Sequence, residues 1–161
     1  MVRLEPMSRS AFDSWLAKAV REYADNKARA GNFAPETALE DAAREFRTLL
    51  PDGPGTEGNF LYTVVAAEDG RPVGMLWFAR RSKDETFIYD IRMDETERGK
   101  GYGRGTLRAL EEVVRGMGIG KISLHAFGDN EVAIGLYRSE GFVVTNVLMA
   151  KTLGPSDGVS A

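Results

Sequence analysis

Three β-rich runs follow one another with only short polar breaks: "FLYTVVAA", "VGMLWFAR" and "ETFIYDIRM". Strands joined by connections as short as "EDGRP" pair antiparallel, because a parallel partner would need a long crossover. The runs therefore predict a meander. Directly after the third comes "ERGKGYGRG", Glu97 to Gly105, with four glycines and three basic side chains in nine residues. Glycine contributes no side-chain area and loses the most backbone entropy on ordering. Gly99, Gly101, Gly103 and Gly105 are thus not all packing residues, and an anion is the obvious thing for such a loop to hold.

The chain on either side fills in the architecture. "VRLEP" predicts a short strand ended by Pro6. From Ser10, Phe12, Trp15, Leu16, Ala19 and Tyr23 fall at helical spacing, predicting a helix to about Ala30 that Gly31 stops. A second helix is expected to open at Pro35, with Leu39, Ala42, Phe46 and Leu49 as its stripe, and to end at "PDGPG". Beyond the glycine loop, Leu107, Leu110, Val113 and Val114 mark a helix ending at "GMGIG". "KISLHAF" reads as a strand, "NEVAIGLYRSE" as a helix and "GFVVTNVLMAKTL" as one or two closing strands. The expectation is one α/β domain over residues 1–153 with a mixed sheet, followed by a frayed tail over 154–161.

Composition excludes several classes. The chain has 161 residues, 43% apolar and 28% charged, ordinary for a globular domain. A net charge of −3 argues against nucleic acid as a partner. Without cysteine there is no disulfide, thiolate metal site or cysteine nucleophile, and one histidine is too few for a histidine-rich site, so no metal is expected. No apolar run approaches the ~18 residues of a membrane span, and "MVRLEPMSRS" lacks the apolar stretch of a secretory signal. A cytoplasmic protein with no membrane partner is the default expectation.

A glycine-rich turn between strand and helix can aim its amides at one point, where the helix N-terminus adds partial positive charge. Phosphate or pyrophosphate suits that site, with Arg98, Lys100 and Arg104 adding charge at the rim. The nucleotide-binding Gly-Lys-Ser/Thr pattern fails, since Gly99-Lys100 leads into Gly101 and Gly120-Lys121 into Ile122. The dinucleotide fingerprint fails too: starting from Gly99 it needs glycine where Arg104 stands, and no acidic residue closes the following strand. A solvated turn with no ligand is the bland alternative.

What remains is R/Q-x-x-G-x-G/A, met by Arg98, Gly101 and Gly103. A second segment, "FGDNEVAIGLYRSEGF", matches N-x-x-A-x-x-L-Y-x-x-x-G-F at Asn130, Ala133, Leu136, Tyr137, Gly141 and Phe142. In this order, separated by a helix and a strand, the two motifs resemble those of the GNAT superfamily, the Gcn5-related N-acetyltransferases. The resemblance is specific over roughly Glu85 to Leu153. It implies a mostly antiparallel mixed sheet flanked by helices, with splayed central strands that receive the pantetheine arm of acetyl-CoA.

By the resemblance, the backbone of Ile91, Arg92 and Met93 would hydrogen-bond pantetheine and polarise the acetyl oxygen. The loop residues Arg98, Gly99, Lys100, Gly101, Tyr102, Gly103 and Arg104 would grip the diphosphate. Asn130 and Ala133 would lie at the cofactor, Asn130 alternatively serving as an N-cap. Tyr137 would contact the cofactor and protonate the leaving sulfur, a proton it keeps at neutral pH with a reference pKa near 10. The competing reading makes Tyr137 part of the helix's buried face.

The general base is less legible. Simple alternation puts Phe87, Tyr89, Ile91 and Met93 on one strand face, none a carboxylate. Asp90 lies on the other unless a β-bulge re-aims it, and an ordinary hydrogen-bonded aspartate is the competing reading. His125 has a suitable intrinsic pKa and is expected on "KISLHAF", opposite to Ile122, Leu124 and Ala126. Water relayed to solvent is the third option.

For the acceptor, Tyr23, Phe33 and Trp15 either wall its site or belong to the core, the latter favoured for Trp15 and Phe12. Asp25, Glu36, Glu40 and Asp41 give this half an acidic character that suits a cationic amine or is simply a solvated face. The expected activity is acetyl transfer from acetyl-CoA to a primary amine of a small molecule or, as a variation, of a protein. A non-catalytic acyl-CoA sensor is the alternative. A homodimer is a further expectation, as dimers are common among proteins resembling this one.

Overall fold

A computed structural model describes residues 1–155. Residues 1–127 form one compact unit and the chain from Gly128 onward a second. Most of the expected tail, from Ser156, lies outside the described residues.

The first unit is built on a five-stranded sheet in the order β1-β2-β3-β4-β5. Its strands are β1 (Val2–Pro6), β2 (Asn59–Ala66), β3 (Pro72–Arg80), β4 (Thr86–Met93) and β5 (Ile122–Leu124). β1 through β4 pair antiparallel and β5 joins β4 in parallel, so the expected meander and mixed sheet are both present. Helices α1 (Arg9–Arg29) and α2 (Ala38–Leu49) precede the meander, and α3 (Tyr102–Gly116) connects β4 to β5. The second helix starts at Ala38 rather than Pro35, because residues 35–37 form a turn in which the Thr37 amide bonds the Ala34 carbonyl.

One face of the sheet packs under α1 and α2. Met75 and Trp77 of β3 and Leu61 of β2 are buried there with Met7, Phe12 and Leu50. Trp15 joins this cluster, 5.5 Å from Trp77 and 6.2 Å from Phe46, ring centre to ring centre. Small residues bring the two helices together: Ala24, Ala38 and Ala42 are buried between them, with Tyr23 and Phe33 packed at the edge. Tyr23 and Phe33 are therefore part of the helix–helix packing. On the opposite face α3 lies against β1 and β4, burying Leu107, Leu110 and Val114.

Two glycines set close approaches. A Cβ on Gly105 would meet Met1 Cγ at 3.1 Å and Val2 Cγ2 at 3.3 Å, so this member of the glycine run is a packing residue after all. A Cβ on Gly74 in β3 would lie 2.4 Å from the Arg92 carbonyl oxygen and 2.8 Å from Met93 Cε. The methionine end can swing aside, but the Arg92 carbonyl cannot yield without bending β4. Gly74→Ala is expected to destabilise the fold by about 1–3 kcal/mol, the range for overpacking; urea unfolding midpoints compared with wild type check this.

The second unit contains α4 (Glu131–Ser139). Its end explains half of the second motif. Phe142 N–H bonds the Tyr137 carbonyl at 3.0 Å and Gly141 N–H bonds that of Arg138 at 3.1 Å, with Gly141 at φ +93°. This double return is the Schellman helix stop, and the Phe142 ring meets that of Tyr137 at 5.7 Å as its apolar contact. The expected closing strands are absent: among the described residues 142–155 none is in a strand. Strand-forming side chains such as Val143, Val147 and Leu148 are present but exposed. A strand is defined by its pairing, and this segment has no ladder partner among the described residues.

Candidate active site

β4 carries the geometry. Opposite Trp77 sits Asp90, but opposite Phe78 sits Ile88, so Tyr89 is an extra residue in the ladder. This bulge changes the phase of the strand. Ile91 and Met93 now share the face of Ile88, while Asp90 and Arg92 pair with Trp77 and Met75 and so face α1 and α2. The Tyr89 ring also turns to that side, stacked on Trp77 at 4.6 Å and edge-on to Phe87 at 4.9 Å. Simple alternation, which groups Tyr89 with Ile91 and Met93, is corrected by one inserted residue.

Asp90 is held by residues of α1 and of its own strand. The Trp15 indole N–H donates to its Oδ2 at 3.1 Å, and an Arg92 guanidinium nitrogen stands 3.9 Å from its Oδ1. Arg92 is itself paired with Glu22 of α1. Burial pushes the Asp90 carboxyl above the usual range, outweighing the opposing pull of Arg92 and of the indole hydrogen bond. Trp15 thus has both roles, an aromatic core residue and a donor to this carboxyl.

Beyond Ile88 the sheet opens. β4 and β5 pair only at Thr86–Ile122, Phe87–Ser123 and Ile88–Leu124. Thr86 fastens the closed end, its N–H donating to the Lys121 carbonyl at 2.9 Å. From residue 89 to residue 93, β4 has no ladder partner on its β5 side among the described residues. The seven-residue strand expected at "KISLHAF" is accordingly cut to three. His125 falls outside it, exposed, with its ring 5.9 Å from that of Phe127.

The open stretch of β4 leads into the glycine loop. Gly99 and Gly101 have φ of +74° and +85°, with open space where a side chain would stand. These left-handed steps turn the backbone into a concavity at the start of α3. The first main-chain bond of the helix is Gly105 N–H to the Gly101 carbonyl, 3.0 Å, and no main-chain acceptor takes the amides of residues 99–103 among the described residues. The loop's basic residues are placed by its own framework. Arg98 Nε donates to the Met93 carbonyl at 3.2 Å, and Lys100 Nζ to Glu97 Oε2 at 3.1 Å.

A strand that parts from its neighbour and leads into a glycine loop at a helix start is the arrangement the sequence resemblance implied. Comparison with known proteins agrees. Residues 19–142 match the model of the Acetyltransferase (GNAT) family. The chain belongs to this family. It is 39% identical over 155 residues to YycN of Bacillus subtilis strain 168, an uncharacterized N-acetyltransferase, covering 94% of this chain and 99% of YycN. The crystal structure of YycN superposes with a TM-score of 0.86 over 96% of this chain and 100% of that one, at 38% identity. An L-2,4-diaminobutyric acid acetyltransferase of Nocardia farcinica is 32% identical over 109 residues, covering 65% of this chain and 53% of that protein.

Within this GNAT protein, the second motif belongs to the second unit. Asn130 is the N-cap of α4, its side-chain oxygen accepting from Ala133 N–H at 3.3 Å. Tyr137 is half-buried on the same helix. Sequence reasoning missed Glu97 and Arg71, which turn out to frame the loop. Arg71 Nε and Nη2 donate to the two Glu97 oxygens, each at 3.1 Å. No pattern links residues that lie 26 positions apart in the chain.

Proposed function

We propose that this GNAT protein transfers the acetyl group of acetyl-CoA to a primary amine of a small molecule. The observation that carries the reading is the continuity of the parted β4 edge with the amides of residues 99–103, which have no main-chain acceptor among the described residues. Five adjacent amides without main-chain acceptors among the described residues fit a diphosphate, and an open strand edge fits an extended chain carrying its own amides. The start of α3 adds positive potential at the loop. The group supplied by acetyl-CoA is a thioester, whose carbonyl is open to attack by a neutral amine.

The protein's part is to bind, orient and move protons. Main-chain groups at Ile91 and Met93 line the open edge, where a donor can stabilise negative charge growing on the acetyl oxygen, while the Arg92 carbonyl is turned to Gly74 of β3. Asp90 takes the proton from the incoming ammonium, directly or through water. Its raised pKa suits it for that better than an ordinary carboxylate. Asp90 is preferred to His125, which is exposed and past the end of β5. Tyr137 returns a proton to the departing thiolate, a role assigned from its place in the second motif. The relative that acts on diaminobutyric acid supports a small amine as acceptor.

Ligand-induced stabilisation tests the reading. Acetyl-CoA at about 100 times its dissociation constant is expected to stabilise the folded state by about 2.7 kcal/mol, seen as a rise in melting temperature. Gly101→Val should abolish most of that rise, since a β-branched residue is strained at φ +85°. No shift with wild type at saturating acetyl-CoA overturns the cofactor assignment. Thiol release across an amine panel then distinguishes an enzyme from a module that only binds.

A further inference from the structure

We infer that Glu97 is a positioning residue that shapes the glycine loop for its diphosphate before the ligand arrives, acting through Arg71 and Lys100. The inference rests on the reading that this loop takes acetyl-CoA.

Glu97 immediately precedes the loop and is only 9% exposed. Both of its oxygens are used: Oε1 by Arg71 Nε, and Oε2 by Arg71 Nη2 and Lys100 Nζ, all at 3.1 Å. Arg71 is fixed in turn at the β2–β3 turn, where its Nη1 donates to Asp69 Oδ2 at 2.6 Å and its own N–H to Asp69 Oδ1 at 3.0 Å. The far end of the loop is tied to the same turn. Tyr102, the first residue of α3, receives Arg71 Nη2 on its hydroxyl at 3.4 Å and donates that hydroxyl to Glu68 Oε1 at 3.3 Å. Residues 98–101 are therefore held at both ends by one polar brace. Between the ends stand the two left-handed glycines, residues that cost the most entropy to order. Ordering them in advance removes that cost from binding.

The charges make sense only in this way. A carboxylate beside an anion site opposes binding by simple electrostatics. Here it is covered by a bidentate guanidinium and an ammonium, and its hydrogen bond from Arg71, reinforced by Lys100, holds it below the usual carboxylate range. Lys100 is spent partly on the brace, so the loop's apparent excess of positive charge is smaller than its sequence suggests.

The sign of one substitution tests this. Coenzyme A is titrated calorimetrically into the full chain, its Glu97→Gln and Arg71→Ala variants, and the double variant. Electrostatics alone predicts that Glu97→Gln binds more tightly, because a negative charge is removed and Lys100 released. The brace predicts about tenfold weaker binding for each single variant, with the double no weaker than the worse single, as expected of residues in one network. Leu50→Ala, in the core under α1 and α2, should lower the melting temperature without this loss, separating positioning from general destabilisation. Equal or tighter binding by Glu97→Gln, or additive losses in the double variant, overturns the inference. If wild type itself fails to bind coenzyme A, the functional reading falls and the inference with it.

Discussion

Replacing Asp90 with asparagine is expected to lower acetyl transfer at neutral pH about a hundredfold or more, the contribution typical of a positioned base, and to stabilise the folded protein at the same pH. The two effects share one cause. The carboxyl is half-buried beside Trp15 and Trp77, with an Arg92 guanidinium nitrogen at 3.9 Å. Asparagine keeps an oxygen for the Trp15 indole and removes the desolvated charge. Steady-state rates by thiol release, with the best amine from the panel, measure the first effect. Thermal unfolding measures the second.

The pH dependence fixes the sign. Unfolded Asp90 titrates near the reference value of about 3.9, and its folded pKa is higher. Below the unfolded value both states are protonated, and the carboxyl carries no charge penalty. As pH rises through the folded pKa the native state must hold a desolvated charge, so wild type loses stability relative to Asp90→Asn. The melting-temperature gain of the variant should grow across that window and then level off. The groups facing the carboxyl are Arg92, Glu22 and Trp15. A gain independent of pH from 3 to 8 would show that desolvation is not its origin, and an undiminished rate would remove Asp90 from the mechanism.

Tyr137→Phe is expected to reduce kcat about a hundredfold with little change in coenzyme A affinity. The substitution keeps the aromatic ring. That ring makes the apolar contact with Phe142 that accompanies the helix stop, 5.7 Å between ring centres, and phenylalanine retains it. What is lost is the hydroxyl. Presteady-state measurement of thiol release isolates the step in which the sulfur leaves, and an unaltered rate would move the acid role to another group. A fall in affinity as large as the fall in kcat would instead make Tyr137 a cofactor contact.

The sequence made the meander, the helix after the glycine loop and the second motif legible because each has a local signal: hydrophobic period, turn residues or spacing. What it hid was relational. Nothing near Tyr89 announces a bulge, since neither glycine nor proline marks it, yet that one residue decides which face Asp90 occupies. "KISLHAF" has strand character throughout, but pairing stops where β4 departs, and only Ile122–Leu124 count as strand. Gly105 is indistinguishable in sequence from Gly101. One lets α3 approach the N-terminal strand and the other adopts a left-handed turn. Glu97 carries no local signal of its partner, and only the fold brings Arg71 to it.

The divergence of β4 from β5 gives a single strand two separate vocabularies. Its unpaired edge runs in the plane of the sheet and speaks through main-chain amides and carbonyls, which every residue type supplies alike. Its side chains project perpendicular to that plane, where Asp90 and Arg92 meet α1. If the proposed function holds, substitutions of the side chains at residues 90 and 92 would change the acceptor's surroundings while the main-chain edge that the acetyl donor would use stays as it is.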